Sequence, residues 1–343
     1  MNSYERTMTA LELGIPDRVP ISECIIHPIV YKALVPSANY QDDFVDEFEL
    51  DSVCAIAHFN VVSEDEKFFT DEWGITYKKS TEMFSYPVEG PIKSISDLEK
   101  YSLPDPDKSE RLGRLPELVK KYKGEKAIIF NQRAAFTWSA YLVGYENLLM
   151  YFLTNPKFAN ELLDKVLEVN IKVAIKAIKT GADIIFLGDD YAYDKGLIFS
   201  PIIFKKFIKP RLKKIVDIIH KEGGKVIKHS DGNIMDIMDL LIEIGIDGLN
   251  PIDPLAGMDI GEVKKKYGDK VCLVGNIDCG HLLSFGSVND VRNAVKACID
   301  KAAYNGGFII ASSNSIHASV KPENYKAMID SAKLYGNCYV ERQ

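Results

Sequence analysis

The chain has 343 residues, 46% hydrophobic and 27% charged, the balance of a globular chain with enough apolar material for a sizeable core. A formal net charge of −7 argues against a general nucleic-acid binder, whose affinity comes from Lys and Arg neutralising phosphates. The six cysteines are scattered without a CxxC pair, no apolar run approaches the roughly 18 residues of a membrane span, and the N-terminus has no apolar targeting core, so the chain reads as cytoplasmic with reduced thiols.

Residues 3–13 are expected to form a short helix ending at Gly14, followed by a turn at Pro16-Asp-Arg-Val-Pro20. A first strand is expected over 21–26, reaching His27, then helices near 29–35 and 41–49, and a second strand over 52–57 ending at His58. Residues 64–95 change character: they are aromatic, β-prone and rich in turn residues, which predicts an inserted hairpin. A helix over 109–122 brings the chain back to a regular alternation.

From there strands are expected at 127–130, 182–187, 225–229, 247–250, 271–274 and 308–310. Helices are expected at 136–151, 156–179, 201–220 and 233–245, with a closing one at 322–333. Ser200 and Pro201 give the 201–220 helix an N-cap and a proline at its first position. Short strands without polar alternation, separated by helices, indicate a parallel sheet covered on its faces. Eight such units point to an α/β fold, a (β/α)8 TIM-type barrel in one domain spanning 1–343, with an open doubly wound sheet as the alternative.

In such a barrel all strands end at one mouth, where ligands bind. The strand ends carry Glu23 and His27, His58, Asn131 and Arg133, Asp189 and Asp190, His229 and Asp231, Asn250, Asp278 and Asn314. His229 and Asp231, two apart after a strand, can share one metal ion or one proton; alternatively His229 is a core histidine and Asp231 a helix cap. Of Asp189 and Asp190, one is expected to face the mouth as a metal ligand or general acid and the other to cap or pair locally. The candidate catalytic residues are therefore Asp189, Asp190 and Asp231, and the candidate metal ligands His229, Asp231 and Asp190. Glu23, His58, Arg133, Asn250, Asp278 and Asn314 are candidate substrate contacts. Arg133 suits a two-pronged clamp on an anion, or an ion pair with one of the acids. Asp278 suits a ligand role or a turn before Gly280, and Asn314 a ligand contact or a turn.

Five stretches, Pro16-Asp-Arg-Val-Pro20, Gly188-Asp-Asp-Tyr-Ala with Ser200-Pro201, His229-Ser-Asp-Gly232, Gly275-Asn-Ile-Asp278 and Pro322-Glu-Asn-Tyr325, resemble the uroporphyrinogen decarboxylase superfamily across nearly the whole chain. The resemblance implies a (β/α)8 barrel with a central cleft and one of two activities: porphyrinogen decarboxylation, or methyl transfer to or from a corrinoid protein. The decarboxylase branch carries an Arg-Gln-Ala-Gly-Arg stretch soon after the first strand; here the chain reads Ile21-Ser-Glu-Cys-Ile-Ile-His-Pro28, acidic where that branch is basic. The methyltransferase branch often binds zinc through His-x-Cys and a later Cys. His229 matches that histidine, the first cysteine falls on Asp231 and the second near Asn314, so the thiolates are missing. A site of His229 with Asp189 or Asp190, and Asp231 or Glu23, would be harder and richer in oxygen, suited to polarising an ether or hydroxyl oxygen.

The expectation is thus a methyltransferase acting on a small methoxylated or N-methylated compound in an O-demethylation system, in which a metal such as zinc held by His229 and carboxylates, or a protonated Asp, stabilises the leaving oxygen or nitrogen. No Asp-x-His-x-x-Gly run is present, so cobalamin would arrive on a partner corrinoid protein. The alternatives are a decarboxylase-like lyase acting on a small carboxylic acid and a non-catalytic small-molecule-binding barrel. No nucleic acid or membrane is expected as partner. Superfamily members are often homodimers, and no apolar stripe in the sequence decides that point.

Overall fold

The computed structural model describes residues 1–82 and 84–340, with side chains through Asn337. In chain order its strands are β1 (Ser52–Ile56), β2 (Val61–Glu64), β3 (Phe68–Asp71), β4 (Thr76–Lys78), β5 (Tyr86–Glu89), β6 (Ala127–Gln132), β7 (Ile184–Gly188), β8 (Ala192–Tyr193), β9 (Gly196–Leu197), β10 (Lys225–His229), β11 (Gly248–Asn250), β12 (Cys272–Ile277) and β13 (Phe308–Ser312). Seven of them form one parallel sheet in the order β1-β6-β7-β10-β11-β12-β13. Each strand pairs with the next parallel strand along the chain, so every strand's C-terminal end lies at the same rim.

Residues 20–22 span the two edges of this sheet. Ser22 N–H donates to the Ile310 carbonyl at 3.1 Å and Ile310 N–H to that of Pro20 at 2.9 Å, while Asp51 N–H donates to the Ile21 carbonyl. The arrangement is consistent with a TIM-type barrel. The expected first strand over 21–26 is not a ladder: Ile21 and Ile26 make isolated parallel bridges to Ile310 and Ile316.

Alternation along the strands sorts side chains into two cores. Ile129, Ile184, Phe186, Ile227, Val274 and Ile309 point inward, and Ala10 and Leu11 of the first helix (Ser3–Leu11) join them. Ile128, Phe130, Ile185, Leu187, Val226 and Leu273 point outward into the layer beneath the helices. Both faces are therefore buried, which is why the strands read as unbroken apolar runs. The Pro16–Pro20 motif has a bracing role here: Arg18 grips the fully buried Asp51 with two nitrogens at 2.8 and 2.9 Å, and Arg6 adds a third contact at 2.7 Å.

Three expectations change in detail. Where a hairpin was expected over 64–95, β2–β5 form a four-stranded antiparallel sheet, and it lies in sequence between two strands that pair directly, β1 and β6. The expected 136–151 helix is two helices, Phe136–Val143 and Tyr145–Thr154, divided at Gly144, whose φ of +88° no ordinary helical residue adopts. The expected 201–220 helix passes through a π-helical turn, Phe204–Ile208, before Lys209–Lys221; Pro210 has no N–H to continue the usual ladder there. Among the described residues no helix is long and apolar enough to cross a membrane.

Candidate active site

The C-terminal strand ends open into a cavity of about 630 Å³. The polar residues expected from sequence, Glu23, His58, Asn131, Arg133, Asp190, His229, Asp231, Asn250 and Asn314, all line it. Aromatic side chains form another part of the lining. Phe69 and Tyr77 come from the antiparallel sheet, and Trp138 and Tyr141, three apart on one face of the helix Phe136–Val143, come from the element after β6.

The centre of the polar side is built on β10. His229 ends that strand, and its Nδ1 lies 2.6 Å from the Asn250 amide oxygen on the neighbouring β11. The Asn250 amide nitrogen donates to the Val274 carbonyl at 3.0 Å, so the oxygen is the end presented to the imidazole. An amide oxygen only accepts, so Nδ1 must hold the hydrogen, leaving the Nε2 lone pair free in the neutral ring. Nε2 faces Asp190 Oδ1 at 3.6 Å and Asp231 Oδ1 at 3.4 Å.

Neither separation is a good hydrogen bond. The three donors surround a gap instead. Two atoms each about 2.1 Å from a tetrahedral ion stand roughly 3.4 Å apart, so these spacings fit a shared first-row cation. The ligand atoms of Asp190, His229 and Asp231 all lie within 4.8 Å of one another. Asp231 Oδ1 is buried without a hydrogen-bond partner, an oxygen left with no other task. The donor set of one imidazole and two carboxylates is one that zinc accepts.

The surroundings hold the two acids in place. Asp190 Oδ1 accepts the Asp231 backbone N–H at 3.1 Å, and Asp231 Oδ2 accepts from Asn314 Nδ2 at 2.7 Å. The turn after Asp231 needs Gly232, whose φ is +82° and where a β-carbon would fall 2.4 Å from the Tyr193 backbone nitrogen. Burial works to raise the Asp190 pKa, but His229 when protonated and the Arg133 charge outweigh it and the net shift is downward. Asp231 goes upward, through burial first and then the nearby charge of Asp190, against the pull of His229. The two carboxylates are thus pushed apart in acidity.

Three of the expected strand-end residues are not brought to the cavity. Asp189 is a positioning residue: it is almost fully buried, and its carboxylate accepts the backbone N–H groups of Ala135, Phe136 and Thr137 at 2.9, 2.8 and 3.2 Å, capping the helix that carries Trp138. This corrects the catalytic role expected of Asp189. Asp278 likewise turns away, accepting from the backbone N–H groups of His281 and Leu282 at 2.9 and 3.1 Å, which corrects its expected substrate contact. His27 is also consumed locally, as the N-cap of Pro28–Leu34. Asn250 reaches the cavity, but both ends of its amide are committed, so its work is on His229.

Arg133 is half-buried at the cavity wall; one guanidinium nitrogen donates to the Gly188 carbonyl at 2.6 Å and the charge lies 5.9 Å from the Tyr141 ring. Sequence reading missed Lys228, Ser312 and the aromatic wall. Lys228 is fully buried behind the centre, donating to the Asp189 carbonyl at 2.7 Å and to that of His229; burial brings its pKa down to about 8 against the pull of Asp189 and Asp190. A lysine inside an apolar strand, next to the site histidine, is a signal that was available.

A family model described as uroporphyrinogen decarboxylase (URO-D) matches residues 74–335. Uroporphyrinogen decarboxylase of Aliivibrio salmonicida is 25% identical over 256 residues, which cover 71% of this chain and 69% of that protein. Methylated-thiol–coenzyme M methyltransferase of Methanosarcina mazei is 24% identical over 258 residues, 72% of this chain and 65% of that protein. Among solved structures, a methyltransferase from Methanosarcina mazei superposes with a TM-score of 0.79 over 98% of this chain and 99% of that one; at 19% identity this likeness speaks to the fold alone.

Proposed function

The chain belongs to the uroporphyrinogen decarboxylase family, and from that premise we propose that it is a methyltransferase, passing a methyl group from a small methoxylated or N-methylated compound to a separate corrinoid protein. The fold reading that accompanies this is a (β/α)8 barrel of one domain in which residues 20–26 take the eighth strand's place. The observation that carries the proposal is the gap ringed by His229, Asp190 and Asp231 in a cavity also lined by aromatic side chains. The relative from Methanosarcina mazei, named a methyltransferase, supports the same reaction class.

Asp190, His229 and Asp231 would hold the cation, with zinc the first candidate. When bound it would supply Lewis-acid polarisation of the ether or amine that loses its methyl group. Asn250 keeps His229 in the ligating tautomer, as the outer partners of metal-bound histidines do. Asn314 holds Asp231, and Trp138 and Tyr141 offer faces against which an aromatic donor stacks. Arg133 is the one Arg or Lys side chain among the described residues lining the cavity, which suits one carboxylate on the substrate and not many.

A second reading, a lyase acting on a small carboxylic acid, is favoured by Arg133 and by the decarboxylases among the relatives. One experiment separates the two. The chain is incubated with a reduced corrinoid protein and a panel of methoxyaromatics and methylamines, with and without a chelator. Methyl transfer predicts methyl–cobalt absorbance that the chelator suppresses; its absence across the panel, with carbon dioxide released from a small acid, would select the lyase.

A further inference from the structure

Glu23 lies outside the three-donor centre, yet it is the most thoroughly buried acid on the cavity wall, at 4% exposure. It follows the edge-bridging residues 20–22 and faces the end of β13. Its Oε1 accepts the Ser312 backbone N–H at 2.7 Å. Its Oε2 lies 2.7 Å from Ser312 Oγ, and that same Oγ lies 2.5 Å from the Asn314 carbonyl oxygen.

A serine hydroxyl has one hydrogen, and here it stands between two oxygens that ordinarily only accept. The Asn314 carbonyl has no hydrogen to give, and the shorter contact takes the hydroxyl's. The contact with Glu23 is then two facing lone pairs unless Oε2 carries a proton. With that proton the chain is satisfied throughout: Glu23 donates to Ser312 and Ser312 to Asn314. The titratable groups that feel Glu23 are Cys24 on its own segment, Cys279 after β12 and Tyr325 of the C-terminal helix; none is a cation. Burial without a countercharge raises the Glu23 pKa to about 8, the two Ser312 contacts offsetting only part of the effect.

Asn314, which ends this chain through its carbonyl, holds Asp231 through its side chain at 2.7 Å. Glu23, Ser312 and Asn314 all line the cavity, so the neutral acid and the proposed metal ligands face one space. We propose that Glu23 is kept as the neutral carboxylic acid and, through the Ser312 hydroxyl to which it donates, supplies the proton to the leaving oxygen or nitrogen of the methyl donor. The inference rests on the methyl-transfer reading and adds a proton source to it. The C–O or C–N bond breaks with its electron pair going to oxygen or nitrogen. The methyl carbon bonds to the electron pair of the acceptor, a reduced corrinoid nucleophile. The Ser312 hydroxyl gives its proton to the departing atom and takes the one on Glu23 Oε2, and the carboxylate left behind regains a proton from solvent. Without a proton, an ether would have to expel an alkoxide or phenoxide.

The test uses the whole chain and the variant Glu23→Gln, whose amide keeps both Ser312 contacts but has no acidic proton. First, infrared titration of the metal-free chain without any substrate should show a protonated-carboxyl band at pH 7 that fades with a midpoint near pH 8 and is missing from the variant. No such band at pH 7 overturns the proposal even if methyl transfer is found. Second, Glu23→Gln should slow turnover of an aryl methyl ether by about 100-fold or more, and that of a methylsulfonium donor, whose leaving group needs no proton, by less than about threefold. Equal losses on both donors overturn the donor role. A chain that turns over neither class refutes the methyl-transfer reading and the donor role with it, while the infrared band still reports whether Glu23 is neutral.

Discussion

Replacing Asn250 by alanine removes the one contact that decides which nitrogen of His229 carries hydrogen. Two buried groups lose their partners: the imidazole Nδ1–H, now 2.6 Å from the amide oxygen, and the Val274 carbonyl, now 3.0 Å from the amide nitrogen. Leaving a buried polar group unsatisfied costs about 1–3 kcal/mol, so the metal-free variant should lose ~2–4 kcal/mol against urea. Loss of a histidine's outer partner weakens metal binding by about 10–100-fold, which is roughly 1.4–2.7 kcal/mol. The assay is a zinc titration against a chromophoric chelator, with urea unfolding of the metal-free protein alongside. Nitrogen NMR of the metal-free wild type should also find hydrogen on His229 Nδ1. Zinc affinity within twofold of wild type, in a variant that still folds, would refute the idea that Asn250 sets up a ligating histidine.

Other expectations follow from the same contacts. The neighbours Asp189 and Asp190 should behave as opposites: Asp189→Ala strips three buried amides of their acceptor and should cost ~2–4 kcal/mol in urea unfolding. Asp190→Asn should change stability by less than ~1 kcal/mol and weaken zinc binding at least ~10-fold. Because the folded state raises the Glu23 pKa from its ordinary 4.5 to about 8, it favours the neutral acid. That contribution is complete below about pH 4.5 and is lost as pH climbs through 8; urea unfolding across this window should show a fall, on the order of a few kcal/mol, that Glu23→Gln removes. The chain's two tryptophans, Trp73 and Trp138, stack with centroids 5.4 Å apart, and Trp138 borders the cavity. An aromatic ligand should therefore change intrinsic fluorescence, and Trp138→Phe should abolish the change.

Much of the parallel sheet was legible because its strands are buried on both faces and so stand out as short apolar runs. Lys225–His229 matches its expected limits, and the other ladders differ by a few residues at their ends. Residues 21–26 share the same composition but make only single bridges, a distinction that depends on neighbours far along the chain. The polar strand ends were legible as a group, and His229, Asp190 and Asp231 do converge. What sequence could not settle was direction. Asp189 and Asp190 are adjacent, so one points to a helix N-terminus and the other to the cavity, and only the path of the 136–143 helix decides which. Asp278 found a local turn to satisfy, as aspartates before glycine readily do. The aromatic wall was out of reach because it is made where the antiparallel sheet meets a helix that lies some 60 residues later in the chain than Tyr77.

All of this rests on His229, Asp190 and Asp231 acting as one cation site, and zinc binding to the metal-stripped chain measures that directly. One zinc per chain should bind with micromolar or tighter affinity, and His229→Ala, Asp190→Asn and Asp231→Asn should each weaken it. Zinc that fails to bind, or that binds equally well to His229→Ala, would contradict the assignment.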